Sequence, residues 1–172
     1  MPIIPDEKDW TWVLARPCPE CSFDASTATP ATVPGSVENM LPRWRAVLRG
    51  PEVAKRPDDR TWSALEYACH VRDVFTLFDQ RLNLILDADG ARFENWDQDL
   101  TAVEKDYANA DPAVVSAELT AEGNQIAESF AGVREADWGR RGLRSNGSEF
   151  TVLTLAQYFL HDVVHHLHDV DG

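Results

Sequence analysis

Residues 63–85, SALEYACHVRDVFTLFDQRLNLI, decide the fold class of this chain. Apolar side chains recur along this stretch at spacings of three and four, which is the periodicity of an amphipathic helix: Leu65, Ala68, Val71, Phe75, Phe78, Leu82 and Ile85. Ser63 predicts the start of this helix, because its hydroxyl can cap the first turn while the Glu66 carboxylate reaches back to it. The acidic segment 87–90, which closes on a glycine, predicts its end.

Three further helices are predicted on either side of this one. Residues 36–49 repeat the same apolar spacing and predict a helix before it. After it, Asp111 predicts the cap of another helix, and Pro112 suits its first position because the N–H that proline lacks has no partner there. Thr151 predicts the cap of a last helix, which runs to about Val170. Four helices of this length, with no alternating strand pattern, are typical of a four-helix bundle.

The predicted connections decide the topology of the bundle. The connection over residues 91–111 is the longest, carries a short helix near residues 100–107, and can cross the bundle instead of turning back at once. The predicted fold class is therefore all-α, a four-helix bundle with a long crossover connection and an extended Pro-rich N-terminal arm. We expect the arm to span residues 1–35 and the bundle residues 36–172, with a turn-rich loop at residues 138–148.

The predicted N-terminal arm is rich in proline, since six of the ten prolines lie in the first 35 residues. Trp10 and Phe23 give it apolar surface with which to pack against the bundle, so disorder is not expected. Cys18 and Cys21 have the spacing of half a four-sulfur zinc site or of a redox pair. However, the sequence has no second cysteine pair, and the helical context differs from a thioredoxin-like unit. A turn held by two prolines is the favoured alternative, and the role of the two cysteines is left open.

The composition is typical of one globular domain and excludes some partners. The 172 residues, 44% of them hydrophobic, suffice for a single core. A net charge of −13 repels phosphate backbones, so nucleic acid is not an expected partner. No membrane partner is expected either, because no apolar run approaches the ~18 residues of a membrane helix and the first residues do not resemble a leader. Three cysteines do not form a disulfide framework, which favours a cytoplasmic location.

Four of the five histidines lie in the last twelve residues. His161 and His165 are one turn apart on the polar face of the last helix, a spacing that lets two imidazoles reach one metal ion. His166 points away from this pair. For the pair taken alone, a solvated polar stripe is the favoured interpretation.

His70 strengthens the hypothesis of a metal site. It lies beside the apolar face of its helix, where an unpartnered imidazole is costly, although a carbonyl or carboxylate could also satisfy it. With a rise of about 1.5 Å per residue, an antiparallel pairing of the two helices places His70 level with His161 and His165. Three imidazoles would then form one face of a metal site with one or more open positions, as in catalytic sites.

Other polar residues are candidates for substrate binding or for support of the ligands. Arg81 lies on the same face as His70, about 16 Å further along, and could anchor a substrate carboxylate or form a buried ion pair. Tyr158 is a candidate for the mouth of the cleft, although an interfacial tyrosine with a solvated hydroxyl is the favoured interpretation. Asp162 and Asp73 could orient a ligand imidazole, although exposed helix acids are the favoured interpretation. Basic residues before the last helix could recognise an anionic substrate, although a solvated loop is favoured: Arg140, Arg141 and Arg144.

Residues 62–73, WSALEYACHVRD, and residues 161–167, HDVVHHL, together with Arg81, resemble the DinB superfamily of DinB/YfiT-like metal-dependent enzymes. The resemblance covers about residues 36–170. It implies a four-helix bundle with a long crossover and three ligands that bind Zn²⁺, Ni²⁺ or a similar divalent ion. By this match the expected ligands are His70, His161 and His165.

The same resemblance implies an activity. Members of the family with known activity include mycothiol-dependent maleylpyruvate isomerase and S-transferases that use bacillithiol or mycothiol. We therefore predict a metal-dependent thiol S-transferase or isomerase, with a metal-dependent hydrolase or a non-catalytic metal-binding or sensing protein as alternatives. The expected partners are a small-molecule substrate and a low-molecular-weight thiol, and a homodimer is left open. Arg81 and Tyr158 are the candidates for catalytic residues.

Overall fold

The computed structural model describes residues 9–172. The first eight residues lie outside this range. They include Pro2 and Pro5 of the predicted arm, and the predicted absence of a leader also concerns these residues. Within residues 9–172 there are five α-helices: α1 (Val33–Val47), α2 (Ala64–Asp87), α3 (Gln98–Glu104), α4 (Pro112–Ala131) and α5 (Val152–Asp169). The same residues contain three short strands: β1 (Ala91–Phe93), β2 (Arg141–Arg144) and β3 (Glu149–Thr151).

The caps confirm three of the predicted helix starts. Ser63 Oγ accepts the backbone N–H of Glu66 at 3.2 Å, and the Glu66 carboxylate accepts the backbone N–H of Ser63 at 2.8 Å. Asp111 caps α4 and Thr151 caps α5. Helix α1 begins at Val33, three residues before its predicted start, because a proline in the first turn is compatible with a helix.

The four long helices form a bundle in which α1 and α2 each pack against α4 and α5. Phe75 and Phe78 of α2 contact Phe159 of α5, with ring centroids 5.8 and 5.5 Å apart. Gly123 of α4 faces Leu41 of α1 and Phe75, and a Cβ at this position would lie 3.0 Å from the Phe75 ring. A glycine at position 123 therefore permits the close approach of three helices.

Helices α2 and α5 run antiparallel, as predicted. The ring centroids of His70 and His166 are 4.8 Å apart, and two turns further along α2 those of Phe78 and Tyr158 are 6.2 Å apart. The beginning of α2 is therefore level with the end of α5, which brings the histidines of the two helices to the same end of the bundle.

Helices α2 and α4 are parallel neighbours. Arg72 Nη1 donates to the Glu118 carboxylate at 2.8 Å, and further along both helices Phe75 lies beside Gly123. Two consecutive long helices that run in the same direction require a connection that crosses the bundle. The segment between α2 and α4 makes this crossing, which confirms the predicted crossover.

A buried carboxylate fixes the crossover segment to α2. Asp73 accepts hydrogen bonds from Arg72 Nε and Lys105 Nζ, each at 2.9 Å, and from the Tyr107 hydroxyl. Burial acts against the charged carboxylate, but these three donors lower the pKa of Asp73 below its usual value. Its predicted role as an exposed acid is therefore wrong, and it holds the crossover segment in place.

The prediction of an all-α fold is wrong in one respect, because the described chain contains a small sheet. Strand β2 pairs in parallel with β1 and antiparallel with β3, so the strand order is β1-β2-β3. Each strand has only three or four residues, too few for an alternating pattern to be recognised. Gly142 of β2 packs on Ile85 of α2 and on Phe93, so the sheet lies where α2 ends and α5 begins.

The described part of the predicted arm packs along α5. Its residues 9–32 contain two 3₁₀ helices, Trp10–Leu14 and Ala25–Thr27, which both contact α5. Gln157 Nε2 of α5 donates to the carbonyl oxygen of Ala28 at 3.0 Å. The division into an arm and a bundle at residue 35 stays a prediction. Among the described helices, none is both long and apolar enough to cross a bilayer.

Candidate metal centre

Helix α5 presents two pairs of metal-binding side chains on neighbouring faces. His161 and His165 are one turn apart on one face, and Asp162 and His166 are one turn apart on a face rotated by about 100°. The first pair faces the N-terminal segment, and the second pair faces α2. One helix thus contributes to two separate groups of donors.

The first group, called the α2–α5 group, consists of His70, Asp162 and His166, whose ligand atoms lie within 4.8 Å of one another. His70 Nε2 lies 3.1 Å from Asp162 Oδ1, and His166 Nε2 lies 3.7 Å from the same oxygen. Donor atoms bound to one tetrahedral Zn²⁺ are about 3.3 Å apart, so these separations fit a single ion.

The charges in the α2–α5 group suit a divalent cation. Burial acts against the charged Asp162 carboxylate, but His70 and His166 lower its pKa to about 2. Burial also acts against a protonated His166, yet Asp162 and Asp169 raise the pKa of its imidazole. Asp169 Oδ2 lies 2.8 Å from His166 Nδ1, which orients the ring and leaves its Nε2 facing Asp162.

The donor set of the α2–α5 group is that of a catalytic metal site. Two imidazoles and one carboxylate bind zinc in several hydrolytic enzymes and leave a position for water or substrate. Asp162 and His166, like His161 and His165, line a cavity of about 700 Å³, a space of the size that small ligands occupy. His70 lies behind them, fully buried, with its ring stacked on Trp96 at 5.3 Å and tilted against Trp62 at 5.5 Å.

The far end of the cavity is cationic. Buried Arg81 donates from Nη2 to the carbonyl oxygen of Glu94 at 2.8 Å, and its guanidinium lies 4.8 Å from the Phe93 ring centroid. Burial and the neighbouring Arg144 lower the pKa of Arg81 to about 10, so it remains charged at pH 7. Within residues 9–172, no carboxylate lies within ion-pair distance of Arg81 or Arg144. The alternative of a buried ion pair for Arg81 is therefore not found.

Tyr158 and Arg144 complete this cationic end. Both line the cavity with Arg81, and the Arg144 guanidinium lies 5.4 Å from the Tyr158 ring centroid. Arg144 also donates to Asn146 Oδ1 at 3.0 Å, so its loop is held in place and is not a free solvated loop. The two other candidate arginines bind acids away from the cavity: Arg140 with Asp137, and Arg141 with Asp89.

The second group, called the arm–α5 group, consists of Cys18, Cys21, His161 and His165, whose ligand atoms also lie within 4.8 Å of one another. Burial and the neighbouring His165 lower the pKa of His161 to about 4, and burial also lowers the pKa of His165. Burial raises the pKa of the Cys21 thiol to about 11, although the backbone N–H of Phe23 favours its thiolate. Both imidazoles are thus neutral at pH 7, the form in which imidazole binds metals.

The structure divides the three predicted ligands between the two groups. His161 and His165 lie together, with ring centroids 5.1 Å apart, but their other neighbours are the two cysteines. His70 lies with Asp162 and His166. The predicted set of three histidines stays a prediction, and the geometry groups His70 with a different set of candidate donors.

The family assignment follows from a comparison with known sequences. The family model of the DinB superfamily matches residues 35–170. The chain belongs to the DinB superfamily. Among solved structures, this DinB protein is similar to YfiT from Bacillus subtilis, described as a probable metal-dependent hydrolase with an unusual four-helix bundle topology. The two chains are 16% identical with a TM-score of 0.72, and the match covers 81% of this chain and 82% of YfiT. No curated protein matches this chain.

Sequence reasoning did not group Asp162 and His166 of this DinB protein with His70, although Asp162 was considered as a residue that orients a ligand imidazole, and its carboxylate lies 3.1 Å from His70 Nε2. The two residues have the same spacing as His161 and His165, so the same criterion of donors one turn apart would have found them. His166 does point away from His161 and His165, as predicted, but it points towards α2. The decisive information is which face of α5 packs against α2, and this depends on contacts between segments distant in sequence.

Proposed function

We propose that this DinB protein is a metal-dependent enzyme whose divalent ion, Zn²⁺ or Ni²⁺, is held by His70, Asp162 and His166. The convergence of these three side chains, two of which line a cavity of about 700 Å³, supports this proposal. Two imidazoles and a carboxylate are donors that both ions accept. We propose the cytoplasm as its compartment, since the three cysteines are free thiols.

The chemistry that a divalent ion held by these residues would supply is Lewis acidity, which would make water or a thiol a nucleophile at neutral pH. The residues around it keep the donors in place. Asp169 orients the His166 ring, and the stacked ring of Trp96 and the tilted ring of Trp62 hold His70. This fixed donor geometry avoids the cost of rearranging the ligands when a substrate binds.

The substrate in this proposal is a small molecule with an anionic group. Arg81 is buried, charged and without a carboxylate partner among the described residues, so an anionic substrate group supplies the missing charge. Arg144 and Tyr158 lie beside it and add donors for the same group. Arg81 and Tyr158 are therefore proposed as substrate-binding residues.

We propose transfer or isomerisation with a low-molecular-weight thiol as the reaction. Arg81 is eleven residues beyond His70 on α2, which corresponds to about 16 Å. An electrophile anchored at the cationic end thus leaves room for a thiol between it and the metal. Hydrolysis is the second candidate, because YfiT, which shares the fold, is described as a probable metal-dependent hydrolase.

The experiment is a kinetic and metal-content comparison on protein purified without an affinity tag. Wild-type protein loaded with Zn²⁺ or Ni²⁺ is incubated with low-molecular-weight thiols and anionic electrophiles, and in parallel with hydrolysable anionic esters and amides. We expect thiol-dependent turnover above that of free metal, reduced at least about 100-fold in His70→Ala and Asp162→Asn. His168→Ala is the matched control, because His168 is exposed on α5 and belongs to neither group.

The substrate-binding role of Arg81 has its own readout. Arg81→Met should raise KM for an anionic substrate about 10- to 100-fold with a smaller effect on kcat, since a charged hydrogen bond is lost. Arg141→Met, which removes an exposed arginine, should leave KM unchanged. Metal binding without turnover of any of these substrates would contradict an enzyme and favour a sensing protein.

A further inference from the structure

We propose that Cys18, Cys21, His161 and His165 form a second metal site, a closed Cys₂His₂ zinc site that fastens the N-terminal segment to α5. The four donors come from two segments that are distant in the chain but adjacent in the fold. The ligand atoms of all four residues lie within 4.8 Å of one another.

The separations fit a tetrahedral zinc ion. Cys18 Sγ lies 3.7 Å from His165 Nδ1. A sulfur and a nitrogen bound to the same tetrahedral Zn²⁺, at about 2.3 and 2.0 Å, are about 3.6 Å apart. The spacings within each segment, two residues between the cysteines and three between the histidines, are those of Cys₂His₂ zinc sites.

The site is buried, and one donor nitrogen has no other partner. Cys18, His161 and His165 are buried, and Cys21 is half-buried. His161 Nε2 is inaccessible to solvent and has no hydrogen-bond partner among the described residues. A buried polar nitrogen without a partner is costly, and a bound cation would remove that cost.

Two carboxylates contact Nε2 of His165, the nitrogen that faces away from the cysteines. His165 Nε2 lies 3.3 Å from Glu20 Oε2 and 3.7 Å from Asp169 Oδ1, while its Nδ1 faces Cys18. A ligand histidine whose second nitrogen contacts a carboxylate is typical of zinc sites, because the carboxylate fixes the ring and makes it a better donor. Glu20 lies between the two cysteines, so one short turn supplies both sulfurs and this carboxylate.

Aromatic rings pack against the two histidines, which also line the cavity. The Trp10 ring centroid lies 5.6 Å from that of His161 and 5.2 Å from that of His165, and Phe23 lies 5.8 Å from His161. Four protein ligands fill a tetrahedron, which is the property of structural rather than catalytic zinc sites. Sulfur ligands favour zinc over harder ions such as magnesium. The function of this site is therefore to fix residues 9–32 beside the cavity.

The experiment uses tag-free, full-length protein loaded with Co²⁺ in place of Zn²⁺, together with elemental analysis of the zinc form. We expect about two metal equivalents in the wild type, and a thiolate-to-cobalt charge-transfer band, which the sulfur-free α2–α5 group does not produce. Cys18→Ser/Cys21→Ser should lose this band and one equivalent of metal. Cys69→Ala, which removes the buried cysteine of α2, is the matched control and should retain both.

A second measurement covers the case in which the double variant does not fold. In the wild-type protein, zinc should protect two thiols from alkylation, with mass spectrometry assigning the protection to Cys18 and Cys21, and a chelator should abolish it. His70→Ala should keep the charge-transfer band, which separates this site from the α2–α5 group. The proposal would be overturned by a wild-type protein that lacks the band at full cobalt loading, by a Cys18–Cys21 disulfide, or by thiols that zinc does not protect from alkylation.

Discussion

The two donor groups share one helix but differ in the segment that packs on it and in the number and type of their donors. The α2–α5 group joins three donors, whereas the arm–α5 group joins four, two of them sulfurs, and α5 residues of both groups line the cavity. Both depend on pairs of α5 residues with identical spacing. Three donors would leave a tetrahedral ion with one open position and four would fill it, so the segment that packs on each face of α5 decides which kind of site is proposed there.

The two groups also differ in what their ions would stabilise. His70 and its neighbours lie in the bundle, which has a large apolar core of its own, so an ion there adds little to folding. The N-terminal segment contributes few buried apolar residues, among them Val13, Ala25 and Ala28. Its attachment to α5 therefore depends more strongly on the four metal donors, and loss of that ion should have the larger effect on stability.

The largest effect is expected from removal of the closed site. An ion present at about 1,000 times its Kd stabilises by about 4 kcal/mol, which corresponds to about 8–16 °C in Tm for a chain of this length. Cys18→Ser/Cys21→Ser should therefore lower Tm of the zinc-loaded protein by about 10 °C, measured by calorimetry. Chelation of the wild type should give a similar decrease, and Cys69→Ala should keep this sensitivity to chelation. An equal Tm of wild type and double variant in zinc would contradict the difference between the two groups.

The next largest effect concerns the open site. His166→Ala removes one of the three donors of the α2–α5 group and should weaken metal binding there at least about 100-fold, because only two donors remain. Calorimetric titration should then show one tight zinc equivalent instead of two, while Tm of the zinc form changes by less than in the cysteine variant. If His166→Ala kept both tight equivalents, the assignment of His166 as a ligand would be wrong.

Asp169 contacts both groups and gives a smaller, shared effect. Its carboxylate lies 2.8 Å from His166 Nδ1 and 3.7 Å from His165 Nε2. Asp169→Asn should weaken zinc binding about 10-fold at the α2–α5 group and by less at the arm–α5 group, because the second contact is longer. Competition with a chromophoric chelator measures both affinities. A loss confined to the arm–α5 group would contradict this order.

The smallest effect is expected at Glu20, whose exposed carboxylate lies 3.3 Å from His165 Nε2. Because water screens exposed charges, Glu20→Gln should weaken zinc binding at the arm–α5 group only a few-fold and leave the α2–α5 group unchanged. The cobalt charge-transfer band should remain, with a lower midpoint in chelator titrations. A change in the zinc affinity of the α2–α5 group would show that the two groups are not independent.

The helices could be predicted from the sequence because their signals are local. The capping residues Ser63, Asp111 and Thr151 lie beside the helices that they begin, and the apolar spacing is visible within each helix. The three strands could not be predicted, since each is three or four residues long and pairs with a segment distant in the chain. Gly142, for example, is fixed by contacts with Ile85 and Phe93, which the sequence does not reveal.

The candidate site could be predicted only in part, for the same reason. The antiparallel pairing of α2 and α5 correctly placed His70 level with the histidines of α5. The spacing of the residues does not reveal how α5 is rotated about its own axis, so the sequence predicted His161, and not Asp162, as a neighbour of His70. Cys18 and His165 are 147 residues apart, which is why the two halves of the closed site were not recognised as one set.

Anomalous diffraction at the zinc edge from crystals of the zinc-loaded protein would locate the ions in both donor groups. We expect two peaks. One should lie about 2.3 Å from the sulfurs of Cys18 and Cys21 and about 2.0 Å from nitrogens of the two histidines beside them, and the other should be bound by His70, Asp162 and His166. A single peak bound jointly by His70, His161 and His165 would contradict this expectation.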